Sequence, residues 1–132
     1  MILLDTHVLL WWATQQQQRL STPAREAVDA EQKSGKIAIS SISAWEIAML
    51  IQRKRLALSM DLREWLAIVE QLANVRFIAV DNGIAVESEN LPGEFHRDPA
   101  DRMIVATARK LGATLITMDD KIRSYPHVRT TW

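Results

Sequence analysis

Short apolar runs alternate with longer mixed stretches along this chain. Ile2-Leu3-Leu4 is uninterrupted and ends at Asp5. Without polar alternation, such a run predicts a strand covered on both faces, as in a parallel sheet between helices. Ile37-Ala38-Ile39, Phe77-Ile78-Ala79-Val80 and Thr114-Leu115-Ile116-Thr117 repeat the pattern, and a last short strand is expected around Val128. Between these runs, Thr6 to Ala13 reads as an apolar helix and Gln15 to Gln18 as a short polar loop. Thr22-Pro23 supplies an N-cap and a first-turn proline for a helix running to Lys33 and closing near Gly35. Ser43-Ala44-Trp45-Glu46 has the Ser-x-x-Glu spacing of a capping box, opening a helix that ends at Arg53-Lys54-Arg55. Asp61 caps a helix with Trp65, Ile68, Val69 and Leu72 on its apolar side, and Asn82-Gly83 turns into a short helix.

After the break at Leu91-Pro92-Gly93 comes Arg97-Asp98-Pro99-Ala100-Asp101-Arg102, followed by the apolar Met103 to Ala108. Asp98 stands where an N-cap belongs, Pro99 at the first helical position and Asp101 at the third. This helix runs to Leu111 and stops at Gly112. Strands alternating with helices predict α/β layers around a mainly parallel sheet. In such sheets the strand carboxyl ends and helix amino ends share one edge, where ligands bind.

The length of 132 residues and the absence of a linker or internal repeat predict a single domain over residues 1–132. With 16 basic and 16 acidic side chains, net charge supplies no bulk attraction to nucleic acid, so polyanion binding needs segregated charge. Without cysteine, disulfides, zinc thiolates and thiol catalysis are excluded, which fits a cytoplasmic protein. The amino-terminal run lacks the basic flank of a signal peptide, and no apolar stretch approaches a membrane span.

Asp5, Glu46, Asp98, Asp101 and Asp119 all fall at strand exits or helix starts, so the architecture crowds them on one sheet edge. Each has a bland role as a cap or turn residue. Together they raise one another's pKa or need a counter-charge. Carboxylate and water oxygens suit Mg²⁺ or Mn²⁺, and neither a histidine pair nor a cysteine points to zinc. That chemistry favours metal-assisted hydrolysis of a phosphodiester, with water as nucleophile.

Four segments, Asp5-Thr6-His7-Val8-Leu9-Leu10-Trp11, Ser43-Ala44-Trp45-Glu46-Ile47, Arg97-Asp98-Pro99-Ala100-Asp101-Arg102 and Thr117-Met118-Asp119, resemble in order the motifs of PIN-domain nucleases. More narrowly they resemble the VapC-like toxins of bacterial toxin–antitoxin pairs. The resemblance implies a three-layer α/β/α sandwich, a Mg²⁺- or Mn²⁺-dependent endoribonuclease acting on RNA, a cognate antitoxin that blocks the site, and a homodimer. It matches Asp5, Glu46 and Asp101 to the core acids and Asp119 to a more variable fourth. Asp98 belongs to the Arg-Asp-Pro form of the third motif, as a ligand or as support for Asp101.

Arg97 and Arg102 have two readings, as RNA-phosphate contacts or as partners of the acids beside them. Arg53-Lys54-Arg55 reads as a solvated helix end or an RNA-backbone contact. His7 reads as a packed or partly exposed side chain, or as a proton donor near Asp5. The tryptophans are expected in the core or an interface, and because Trp11 and Trp12 cannot share a helix face, one is expected at a surface. Two other functional classes compete. An aspartyl-phosphate enzyme would want a second acid just after Asp5, where Thr6, His7 and Val8 stand instead. A non-catalytic α/β binding module would use the acids only as helix caps.

Overall fold

The computed structural model describes residues 1–132 and contains five strands and seven α-helices. Strands β1 (Ile2–Leu4), β2 (Ile37–Ser40), β3 (Val75–Ile78), β4 (Thr114–Ile116) and β5 (Thr130–Thr131) form one sheet in the order β3-β2-β1-β4-β5. Every pairing is parallel. The helices are α1 (Thr6–Ala13), α2 (Thr22–Ser34), α3 (Ser41–Gln52), α4 (Leu62–Glu70), α5 (Asn82–Glu89), α6 (Pro99–Leu111) and α7 (Asp120–Arg123). No helix is long and apolar enough to cross a membrane.

The uninterrupted apolar runs are explained by covering on both sheet faces. Ile2 and Leu4 join one core with Ile37 and Ile39, against α1 to α4. Leu3, Ala38 and Leu115 point into the other, with Ile84, Ile104, Val105 and Ile122 from α5 to α7. Side chains alternate faces along a strand, so both parities must be apolar when both faces are packed. Leu3 is fully buried, and truncating it to Ala should cost about 2–5 kcal/mol.

Local signals place most helix starts. Asp61 caps α4 through the amides of Arg63 and Glu64, and Gly112 ends α6 in the left-handed conformation at φ 63°. Four expectations are corrected. Ser21 rather than Thr22 caps α2. β3 lies two residues earlier than its apolar run suggests, set by its register against Ile37 to Ser40. The last strand is Thr130–Thr131, not Val128. Asp119-Asp120 opens α7 instead of a bare turn.

The sheet order reverses direction at β1, whose neighbours are β2 and β4. The crevice beyond the carboxyl ends of β1 and β4 is the switch point of this topology, where open α/β sheets bind ligands.

Candidate active site

Asp5 follows β1 at that crevice, and its carboxylate is bound on both oxygens. Oδ1 accepts from the Thr6 amide at 2.9 Å, capping α1, and Oδ2 accepts from the Thr117 hydroxyl at 2.7 Å. Thr117 Oγ1 in turn accepts from the Asp119 amide at 3.1 Å, so one hydroxyl joins the exits of β1 and β4. Asp119 caps α7 through the Lys121 amide at 2.8 Å.

The start of α3 differs from the capping-box expectation. Ser40 at the end of β2 is the cap, accepting from the Ile42 amide, and α3 begins at Ser41. Ser43 and Glu46 are therefore inside the helix, with no amide to cap. Both turn to α1: Thr6 Oγ1 donates to Glu46 Oε1 at 2.5 Å and lies 2.8 Å from Ser43 Oγ. At α6 the local signal holds, and Asp98 Oδ2 accepts from the Asp101 amide at 2.9 Å. Asp101 projects its own carboxylate towards His96, whose Nε2 lies 3.0 Å from Oδ2. That approach is off the ring's N–H axis, so the buried Nε2 has no aligned hydrogen bond.

Asp5, Glu46, Asp98, Asp101 and Asp119 together line one cavity of about 420 Å³, with His7, Val8, Trp11 and Met118 completing it. A larger groove of about 530 Å³ lies between the end of α1, residues 56–60 and α4. Its lining is mostly apolar, with no carboxylate or histidine, so the acid chemistry belongs to the smaller cavity. Burial raises the pKa of Asp5, against the opposing hydrogen bonds from Thr117 and Thr6. Burial also raises that of Glu46, with the charges of Asp5 and Asp98 adding to it. Asp101 is pushed up to about 8, first by burial and then by the charges of Asp5, Asp98, Asp119 and Glu46. Such crowding of carboxyl groups disfavours their charged forms, and a divalent cation among them would reverse that.

A hard divalent cation fits these donors. No three acidic or histidine side chains converge as a ready-made cage. Mg²⁺ does not require one, because it keeps several waters and uses one or two carboxylates plus phosphate oxygens.

Neither Arg97 nor Arg102 lines this cavity, and neither pairs with Asp98 or Asp101, which corrects the reading of them as partners of the acids beside them. Arg102 is only 5% exposed, and it donates to the carbonyls of Ser88 at 2.8 Å, Phe95 at 2.8 Å and His96 at 3.2 Å. Arg97 is exposed and pairs with Glu89 at 2.7 Å. Trp11 and Trp12 are both buried, where one was expected at a surface; Trp11 packs on Trp132 and under Arg19. Trp65 is in the core and Trp45 is 55% exposed. Arg53, Lys54 and Arg55 form an exposed helix end. His7 is exposed on the cavity rim, one helical turn from Trp11.

Sequence reasoning missed His96, gave no role to Thr6 or Thr117, and read Ser43 as a cap. The hydroxyls stand inside or beside the acidic motifs, and their polarity among apolar neighbours was the available signal.

The sequence matches the family described as PIN domain over residues 2–128. The chain belongs to the PIN domain family. This PIN domain is 38% identical over 134 residues to Ribonuclease VapC22 of Mycobacterium tuberculosis (strain ATCC 25618 / H37Rv), covering 99% of this chain and 98% of the relative. Its fold is similar to VapBC2 from Rickettsia felis bound to a promoter DNA fragment, with TM-score 0.71, 19% identity and 99% and 98% of the two chains covered. DNA-bound VapBC from Salmonella typhimurium is similar at TM-score 0.65 and 21% identity, with 99% and 98% covered. The parallel sheet of this PIN domain, layered between α1 to α4 and α5 to α7, is the expected α/β/α sandwich.

Proposed function

We propose that this PIN domain, with residues 1–132 as one nuclease unit, is a Mg²⁺- or Mn²⁺-dependent endoribonuclease and the toxin of a toxin–antitoxin pair. The observation that carries the reading is the cavity in which five carboxylates meet at the switch point, with Asp101 held near 8 by burial and its neighbours. The 38% identity to a protein named as a ribonuclease supports RNA as substrate. A module using its acids only as caps is disfavoured, because Glu46 and Asp101 cap nothing.

Glu46 keeps one carboxylate oxygen free of hydrogen bonds and Asp101 keeps both, and these oxygens, with Asp5 and Asp119, would hold the cation. When bound, the cation polarises the phosphoryl group and offsets the charge that develops during in-line attack by water. Thr6 holds Glu46 Oε1, leaving Oε2 to bind the cation or to orient the attacking water. Thr117 fixes Asp5 between the two strand exits. Asp98 holds the first turn of α6, and so sets the backbone from which Asp101 projects. Arg97, exposed beside this turn, is available to an RNA phosphate; buried Arg102 is not.

A similar structure, from Klebsiella pneumoniae, is a toxin–antitoxin complex, which supports a cognate antitoxin covering the cavity. A homodimer is the accompanying proposal. Cytoplasmic action fits the absence of cysteine.

The test is purified protein incubated with mixed RNA in Mg²⁺, Mn²⁺ or EDTA, with the products sequenced. Internal cleavage in either metal and none in EDTA is expected. Full cleavage in chelator, with no metal by elemental analysis, sinks the mechanism.

A further inference from the structure

The turn that presents Asp101 also grips the loop that touches it. Asp101 and Arg102 are neighbours on α6, and Arg102 reaches back to hold the backbone of Phe95 and His96 through their carbonyls. Its third bond, to Ser88 O at 2.8 Å, ties that loop to the end of α5. Burying a guanidinium is costly unless its donors are used, so this clamp fixes the loop closely. The ring of Phe95 packs edge-on against His96 with centroids 4.5 Å apart, and lies 4.7 Å from the ring of Tyr125. The Tyr125 hydroxyl donates to Pro92 O, closing the far side of the loop. His96 is therefore mounted on a backbone held from one side and a ring packed from the other.

What this mount delivers is one atom. His96 Nε2 is buried, lies 3.0 Å from Asp101 Oδ2 and has no aligned hydrogen bond to any atom. Each of the other four acids has an oxygen held by an amide or a threonine hydroxyl: Asp5 by Thr6 and Thr117, Glu46 by Thr6, Asp98 by the Asp101 amide and Asp119 by the Lys121 amide. Asp101 alone has an imidazole in that place. Oδ2 is the Asp101 oxygen within reach of Nε2, and no hydrogen bond engages Oδ1.

We propose that His96 is a positioning residue that holds Asp101 Oδ2 through Nε2, so that Oδ1 is presented to the divalent cation, with Arg102 and Phe95 holding His96 to that task. The inference rests on the reading that this cavity holds such a cation. Groups that fix a metal-binding side chain from behind are commonly worth about 10–100-fold in affinity.

The experiment compares the intact chain with His96→Ala, His96→Asn and His96→Gln. Mn²⁺ affinity is measured by electron paramagnetic resonance without RNA, and melting temperature and cleavage kinetics are measured alongside. The amide nitrogen of glutamine reaches the place of Nε2, whereas that of asparagine reaches only as far as Nδ1. Expected are Mn²⁺ affinities about 10–100-fold weaker for Ala and Asn, and within about threefold of wild type for Gln. RNA KM should be unchanged while kcat falls with the affinity. Equal losses in Asn and Gln, or Ala binding Mn²⁺ as wild type does, overturn the inference. If Ala fails to fold, the Asn and Gln pair decides alone. Wild type that cleaves RNA and binds Mn²⁺ while the variants match it overturns this inference only. Wild type that binds no divalent cation overturns the proposed function and this inference together.

Discussion

The starts of α3 and α6 each bring a carboxylate to the cavity, but by opposite means. In α6 the acids divide the work within one turn: Asp98 caps the helix and Asp101 is left without a backbone amide to serve. In α3 a serine from the preceding strand does the capping, and Glu46 arrives from inside the helix, held across the fold by Thr6. The difference shows which acids are at liberty to bind a ligand. A capping carboxylate has committed an oxygen to the positive end of its own helix, whereas Glu46 and Asp101 are half-buried among other acids and cap no amide.

The largest effect should come from the two uncommitted acids. Asp101→Asn and Glu46→Gln should each lower RNA cleavage by about 100-fold or more, because under the proposed function each removes charge where the cation and a phosphate would meet. Steady-state cleavage of a fluorescent RNA at saturating Mg²⁺ checks this, and wild-type turnover in Glu46→Gln would return that residue to a structural role. Asp98→Asn should keep most activity, since asparagine is nearly as good a cap; Asp98→Ala should lose about 1 kcal/mol in a chemical-denaturation series.

How far these assignments were legible in the sequence differs between the two starts. Asp98-Pro99-x-Asp101 is a local signal, and the helix obeyed it because cap, proline and acid all act within one turn. Ser43-x-x-Glu46 carries an equally good local signal and was misleading, because Ser40 at the strand end caps first. The crowding of five acids followed from strand–helix alternation alone. The contacts that tune them did not, since Thr117 lies 112 residues from Asp5 and Thr6 lies 40 from Glu46. Arg102 was misread for the same reason: its partners are backbone carbonyls of a loop, and no side-chain pattern announces them.

A pH series sharpens the comparison on stability. The Asp101 carboxyl rises from 3.8 to about 8 on folding, so between those values the folded chain keeps a proton that the unfolded chain has released. Its contribution to metal-free stability is full below about pH 4 and is lost as pH rises through about 8. Asp5 and Glu46 are raised in the same sense. The melting temperature in EDTA should therefore fall between about pH 5.5 and 8.5, and Asp101→Asn should flatten that slope. At the alkaline end the variant should melt a few degrees higher than wild type, a change on the order of 1 kcal/mol. A variant that is inactive and yet more stable without metal is the signature of a ligand, whereas a cap would lose stability.

A smaller effect is expected at the hydroxyl joining the two strand exits. Thr117→Val removes the bond to Asp5 and leaves the Asp119 amide without its acceptor. About 1–3 kcal/mol of stability should be lost, read by urea denaturation at pH 7. No loss would mean that water replaces the hydroxyl.

The most direct measurement is Mn²⁺ binding to wild type, Asp101→Asn and Asp98→Asn, followed by calorimetric titration in the absence of RNA. The account predicts that Asp101→Asn loses most of the affinity while Asp98→Asn stays within about threefold of wild type. Affinity retained in Asp101→Asn and lost in Asp98→Asn would contradict it.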